Sequence, residues 1–280
     1  MSKPDLVAQR VTSVVRGRTL RGVGLVLVLA LVVVGCKDAD TDRPPTPASP
    51  SSSGSTTAEP KPPSSSSPPE PSPTREPEPK SATAKISRLP ADQWERMVEA
   101  GMWRPGCPVR RPELRRVEVN HHTFSGGVRR GVLVVNADVA HSLARIFTKL
   151  FDAGFPIRRI RPVEAYDGDS DASLQDDNTA AYNCRRPSQI NAPPMQSPHA
   201  NGRAIDVNPR ENPWMDPRCT CWSPGPKHQE RVRGQGKIVE GGTVWKAFTE
   251  EGWIWQNIDV PDYMHFDTGY PSRPLAGRGS

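Results

Sequence analysis

The chain is poor in aromatic side chains, and it has no apolar run long enough to cross a bilayer as a helix. Only 6% of its 280 residues are Phe, Trp or Tyr, against 32 prolines, so part of the chain cannot bury a core. The apolar stretch Val23–Val34 falls short of the ~20 residues that a transmembrane helix needs. A strong basic excess is missing too, despite a formal charge of +6: Lys3, Arg10, Arg16, Arg18 and Arg21 against Asp5 supply +4 of it, leaving +2 for everything after residue 36. That balance gives no support to a nucleic-acid partner.

What is present is unevenly distributed. The four arginines form a positive leader segment ahead of Val23–Val34, and Val33-Val34-Gly35-Cys36 resembles a bacterial lipoprotein cleavage box. Residues 1–35 are therefore expected to be a lipoprotein signal peptide removed at Cys36, with an uncleaved anchor as the alternative. Acylation of Cys36 by more than one chain would hold the protein stably on a membrane, since a single chain binds only marginally. Residues 36–84 follow as a Pro/Ser-rich segment such as Pro62-Pro63-Ser64-Ser65-Ser66-Ser67-Pro68-Pro69, too polar to offset its ordering entropy. At ~3.1 Å per residue such a tether reaches roughly 150 Å.

A folded domain is expected over residues 85–275, with a disordered tail at 276–280. Pro90 to Ala100 predicts a helix stopped by Gly101, and Leu114–Val119 alternates like a half-buried strand. Gly131–Val135 predicts a second strand, running into Asn136 as N-cap of a helix with the face Val139, Leu143, Phe147 and Leu150. Beyond Gly154 come an extended run to Ala165, a polar loop 167–194, a short strand, a loop 210–242, a helix 243–251 and a hairpin from Trp253 to Asp267. The pattern predicts an α+β class: a compact single domain with a central antiparallel sheet that carries a metal. Apart from Cys36, four cysteines remain, and they allow three pairings. Cys107 with Cys184 is favoured, tying the start of the domain to the loop before the metal strand. Cys219 and Cys221 are then left as a tight pair, with a Cys-Thr-Cys metal site completed by His228 as the alternative.

The chemistry converges on Ser197–Asn208. His199 and Asp206 offer a nitrogen and an oxygen donor around the flexible Gly202, and His265 in Pro261–Asp267 offers a third ligand. Three such ligands, with a fourth position left for water, are the pattern of a catalytic zinc site. Asp262, three residues before His265, is placed to act as base toward that water, provided that the chain bends there, because positions three apart on a regular strand face opposite sides. The plainer alternatives are a turn histidine, a turn carboxylate, a half-buried sheet histidine and a solvated loop acid.

The spacing Ser-x-His-x-x-Gly-x-Ala-x-Asp over Ser197–Asp206, followed by Asp262-x-x-His265, resembles a family of bacterial wall enzymes. These are the zinc D-alanyl-D-alanine carboxypeptidases and dipeptidases, with their phage L-alanyl-D-glutamate endopeptidase relatives. Gly154–Ile157, Asn178–Arg185 and Asn208–Pro213 also resemble segments of the endopeptidase-like branch, so the likeness runs roughly from Trp94 to Phe266. It implies the fold shared with the Hedgehog signalling domain, one Zn²⁺, and a wall-peptide substrate met outside the cytoplasm by a monomer. It also points to Arg185 as the cation for a substrate carboxylate or oxyanion, with Arg159 and Arg161 as competitors. Ser197, Asn178, Tyr166 and Trp253 are candidates to line the pocket, against roles as a turn serine and core aromatics. One departure is visible: relatives often carry Trp-Gly-Gly-x-Trp where this chain reads Trp253-Ile254-Trp255-Gln256-Asn257. A zinc peptidase acting on peptidoglycan stem peptides is the first reading, and a catalytically silent zinc-bearing wall-binding domain is the second.

Overall fold

The computed structural model describes residues 79–189 and 193–275. The expected signal segment, Cys36, the linker up to residue 78 and the 276–280 tail lie outside the described residues. Ordered packing begins slightly earlier than residue 85. Ala82 is buried, its carbonyl accepts the Asn120 amide at 2.6 Å, and the Ser81 carbonyl accepts Asn120 Nδ2 at 3.0 Å.

The chain opens with strand β1 (Lys85–Arg88) and helix α1 (Ala91–Glu99), which enters from Pro90 and stops before Gly101 at φ 72°. Strands β2 (Leu114–His122) and β3 (Val128–Asn136) pair antiparallel from Leu114↔Asn136 to His122↔Val128, and β1 adds to the outer side of β2. Both long strands alternate, so Val117, Val119, Leu133 and Val135 share one buried face. Helix α2 (Ala140–Asp152) lays Leu143, Ile146, Phe147 and Leu150 into the same core. Each such burial contributes about 1.5–3 kcal/mol. Asn136 does not cap α2: the cap position is Val139, and Asn136 Nδ2 instead donates to the Asn201 carbonyl at 3.0 Å.

The expected polar loops contain short elements that no periodicity announces. Strand β4 (Arg159–Ile160) runs parallel to β5 (Asn178–Thr179), and between them lies the six-residue helix α3 (Ser170–Gln175). Asp169 caps α3 by accepting the Asp171 and Ala172 amides. After β6 (Ala204–Asp206), the second loop folds into the hairpin β7 (Trp214–Asp216) and β8 (Cys221–Ser223). Helix α4 (Thr243–Thr249) then leads to β9 (Ile254–Trp255) and β10 (His265–Asp267).

The single central sheet expected from the sequence is divided. One three-stranded antiparallel sheet is β1-β2-β3 and another is β6-β10-β9, with two-stranded pieces β4-β5 and β7-β8. They share one core, because Ile205, Val207 and Phe266 of the second sheet join the cluster beneath α2, and Phe248 of α4 stacks on Phe266 at 4.0 Å. A second cluster gathers Leu89, Met97, Met102, Leu114, Tyr182 and Cys184. The Cys107–Cys184 disulfide, with a Cα separation of 6.1 Å, fastens it across 77 positions. By chain entropy, a closure of that length contributes about 4 kcal/mol. Cys219 is bonded to Cys221, so neither sulfur is a thiolate ligand and the site with His228 does not form.

Candidate metal centre

Three segments meet at the site. The His199 segment is a series of tight turns: the Asn201 amide donates to the Ser197 carbonyl, Gly202 to His199 and Arg203 to Pro198. It crosses the end of β3, where the Gly202 carbonyl accepts the Asn136 amide at 2.8 Å. Gly202 sits at φ +68°, and a Cβ there would lie 2.6 Å from the Asn136 nitrogen, so only glycine fits. Asp206 and His265 come from β6 and β10, where they stand directly opposite each other in the antiparallel register. Directly paired residues project to the same face, while Ile205 and Phe266 point the other way into the core.

The donor atoms converge. One atom from each of His199, Asp206 and His265 lies within 4.8 Å of the other two. His265 Nδ1 is 3.1 Å from Asp206 Oδ1 and 3.1 Å from His199 Nε2, which is 3.4 Å from Asp206 Oδ2. The opposite ring nitrogens are already engaged. His199 Nδ1 donates to the Ala181 carbonyl at 2.7 Å, and His265 Nε2 donates to Asp267 Oδ2 at 3.1 Å. Both partners only accept, so the neutral tautomers turn two nitrogen lone pairs and a carboxylate toward one point. Such a point requires a proton or a cation.

The local field agrees. Burial disfavours an imidazolium at His265, yet the hydrogen bonds to Asp206 and Asp267 outweigh it and push its pKa up to about 10. Burial would likewise raise Asp206, but His199 and His265 override it and hold the carboxyl far below its usual range. Asp267 is the residue that the sequence reading missed. Fully buried, it also accepts Asn257 Nδ2 at 3.0 Å and the Gly269 amide at 2.8 Å, which fixes it behind His265. The signal was available in His-x-Asp on a strand, since positions 265 and 267 must share a face. An N, N, O donor set backed in this way fits Zn²⁺.

Asp262 reaches the same cleft because the chain bends before β10. The His265 amide closes a turn onto the Asp262 carbonyl at 3.3 Å, which removes the objection from strand geometry. Its Oδ1 is buried without a hydrogen-bond partner. Burial is the largest influence and pushes the carboxyl up to about 7; His265 and Arg185 pull it down, and Asp206 and Asp267 push it further up. Such a buried, unpaired oxygen is costly as structure, and it suits a group that exchanges a proton.

A cleft of about 710 Å³ opens onto these residues and is also lined by Arg185 and Ser197. Arg185, at φ 59°, keeps a buried Nε without a partner. The competing arginines do not line the cleft: Arg159 pairs with Asp176 at 3.0 Å, and Arg161 is exposed elsewhere. Two pocket candidates are placed differently from expectation. Trp253 is a core residue, donating from Nε1 to Ser142 Oγ at 3.0 Å and packing on Phe248. Tyr166 donates to Asp176 away from the cleft, whereas Asn178, buried and bonded to Arg161 and Ser173, lines a small cavity of about 40 Å³ that also touches Arg185, His199 and Asp206. Ser197 lines the cleft while its Oγ accepts the Ala200 amide at 3.3 Å. The segment Gln256–Val260 forms one wall, where this chain departs from the Trp-Gly-Gly-x-Trp pattern. Gln256 adopts φ 53° there, a conformation that glycine takes without strain.

Fold and site together define a mixed α/β domain with an N, N, O centre at the floor of a cleft, the layout of a hydrolytic enzyme. Residues 191–268 match the family model described as D-alanyl-D-alanine carboxypeptidase. The match spans His199, Asp206, Asp262 and His265, and it supports a peptidase of that family. No curated protein and no solved structure matches the chain.

Proposed function

We propose that this protein is a zinc peptidase that hydrolyses peptidoglycan stem peptides, as a D-Ala-D-Ala carboxypeptidase or an L-Ala-D-Glu endopeptidase, on a Hedgehog/DD-peptidase-like fold. The observation that carries this reading is the buried, partnerless Asp262 Oδ1 on the cleft beside three converging donors. A purely structural metal needs no such neighbour, which disfavours the silent wall-binding alternative.

His199, Asp206 and His265 would hold the ion, with Ala181 and Asp267 orienting the two rings. A bound Zn²⁺ supplies Lewis acidity, lowering the pKa of its water and polarising a carbonyl. Asp262 accepts the proton of the attacking water at Oδ1 and returns it to the leaving amine. Arg185 pairs with a substrate carboxylate or a developing oxyanion, a geometry that the guanidinium fork suits. Lipid attachment at Cys36, the 36–84 tether and an extracytoplasmic position facing the wall complete the proposal, with the head acting as a monomer.

The test is mass analysis of defined muropeptides after incubation with the full chain, alongside zinc content. Loss of a terminal D-Ala, or cleavage between L-Ala and D-Glu, supports the reading and names the bond. Intact muropeptides with stoichiometric zinc would move the protein to the silent alternative. For the anchor, the mature protein should begin at an acylated Cys36, and recovery of Met1 or of the basic leader on it would refute that part.

A further inference from the structure

The Cys-Thr-Cys segment has no part in the hydrolytic centre, yet it lies next to it. Of the two disulfides among the described residues, Cys107–Cys184 spans 77 positions and has Cys184 buried in the second core cluster. Cys219–Cys221 spans two, and Cys219, Thr220 and Cys221 are all exposed. A ring closed over a single residue removes little entropy from the unfolded chain, so global stability is a poor account of it. Exposure also leaves its sulfurs open to attack by a thiolate, the property that separates labile disulfides from structural ones.

The pair stiffens the return leg of the β7–β8 hairpin: Cys219 lies in the turn and Cys221 opens β8, whose pairing with β7 consists of Trp214↔Ser223, Met215↔Trp222 and Asp216↔Cys221. Three residue pairs join β8 to β7, so the conformation of the turn bears directly on how firmly that outer strand is held. The other edge of β7 is paired with the segment that carries Asp262. The Met215 amide donates to the Pro261 carbonyl at 2.7 Å, the Tyr263 amide donates to Pro213 at 3.3 Å, and Trp214 bridges Asp262. Pro217 and Arg218, between β7 and the disulfide, line the cleft. The turn, the hairpin and Asp262 therefore form one connected unit.

We propose that Cys219–Cys221 is a thiol–disulfide exchange site for a dithiol reductant, and that its opening loosens the strand that positions Asp262. One thiolate of the dithiol attacks a cysteine sulfur, forming a mixed disulfide and releasing the other cysteine as thiolate. The second thiol then displaces the first cysteine, so the dithiol leaves as its own disulfide and both cysteines end as thiols. The exchange site rests on this geometry alone, and only its consequence for turnover rests on the peptidase reading.

Graded dithiothreitol followed by alkylation and peptide mass analysis reads the exchange directly on the full chain. Cys219 and Cys221 should be alkylated at reductant concentrations at least about tenfold below those that label Cys107 and Cys184. Simultaneous labelling of both pairs, or earlier labelling of the buried pair, would overturn the exchange site. The coupling is read on a Cys219→Ser/Cys221→Ser variant, which avoids competition of dithiothreitol for zinc. Its Met215 and Tyr263 amides should exchange hydrogen faster than in the wild type while amides of β2 and β3 are unchanged, and kcat should fall with zinc retained. Unchanged exchange at Met215 and Tyr263 would refute the coupling whether or not the protein cleaves any muropeptide.

Discussion

The two three-stranded sheets are held together by different physics. In β1-β2-β3 the long strands run nine residues each, and Val117, Val119, Leu133 and Val135 on their inward face are fully buried. In β6-β10-β9 no strand exceeds three residues, and one face gathers the half-buried Asp206 with the buried His265 and Asp267. The first sheet is stabilised by apolar area. The second carries groups that are costly to bury unless each is partnered, and Asp267 is held there by Asn257 Nδ2 and the Gly269 amide as well as by the ladder. Stability and chemistry are thus assigned to separate sheets that share one core through Ile205 and Phe266.

Breaking the ligand sheet should give the largest effect. His199→Ala removes the nitrogen aimed at His265 and Asp206, and two remaining ligands hold zinc poorly. Zinc content and muropeptide hydrolysis should both fall to background, and stoichiometric zinc in a variant lacking both His199 and His265 would exclude the centre. Asp262→Asn comes next, because it keeps shape and removes the proton acceptor. Zinc should stay bound while kcat falls by roughly 10²- to 10⁴-fold with little change in KM. Turnover near wild type would take Asp262 out of the mechanism, and loss of zinc would make it a ligand instead.

Leu133→Ala tests the other side of the comparison. Leu133 is fully buried under α2, and the change should cost about 2–5 kcal/mol of unfolding free energy in a denaturant titration. Zinc content and kcat per folded molecule should be unchanged. If the core substitution lowered kcat as strongly as Asp262→Asn does, the separation of roles between the sheets would be wrong.

The same physics explains what the sequence revealed. Val117, Val119, Leu133 and Val135 alternate over long strands, and Leu143, Ile146, Phe147 and Leu150 repeat at helical spacing, so periodicity finds the first sheet and α2. The ligand sheet is legible by another route: His199, Gly202, Asp206 and His265 are recognisable by residue type and spacing, although β6 and β10 are too short to show a period. Helix α3 and the β7–β8 hairpin stayed hidden because a side-chain cap and a tight turn hold them, rather than an apolar face. Trp253 and Tyr166 were misplaced for a related reason: an aromatic with a polar tip reads alike in a core and in a pocket, and only its tertiary partner, Ser142 or Asp176, decides between them.

Glu211 gives the smallest and sharpest test, because it follows β6 in the chain yet lies outside the network of the centre. It is 7% exposed, its Oε2 has no partner, and Oε1 is 3.4 Å from Arg158 Nη2. Burial, with the neighbouring Asp177 carboxylate, pushes its pKa up to about 7, while Arg158 opposes the shift. A carboxyl raised above its unfolded value of about 4.3 stabilises the fold fully below that value, and the contribution is lost as pH rises through about 7. Glu211→Gln keeps the shape without the ionisation, so the variant should gain on the wild type between about pH 5 and about pH 8, by on the order of 1 kcal/mol. Thermal unfolding of both proteins at those two pH values measures the gain. Parallel pH dependence would mean that Glu211 is as well compensated as Asp206, and that uncompensated carboxylate burial in this region is confined to the cleft.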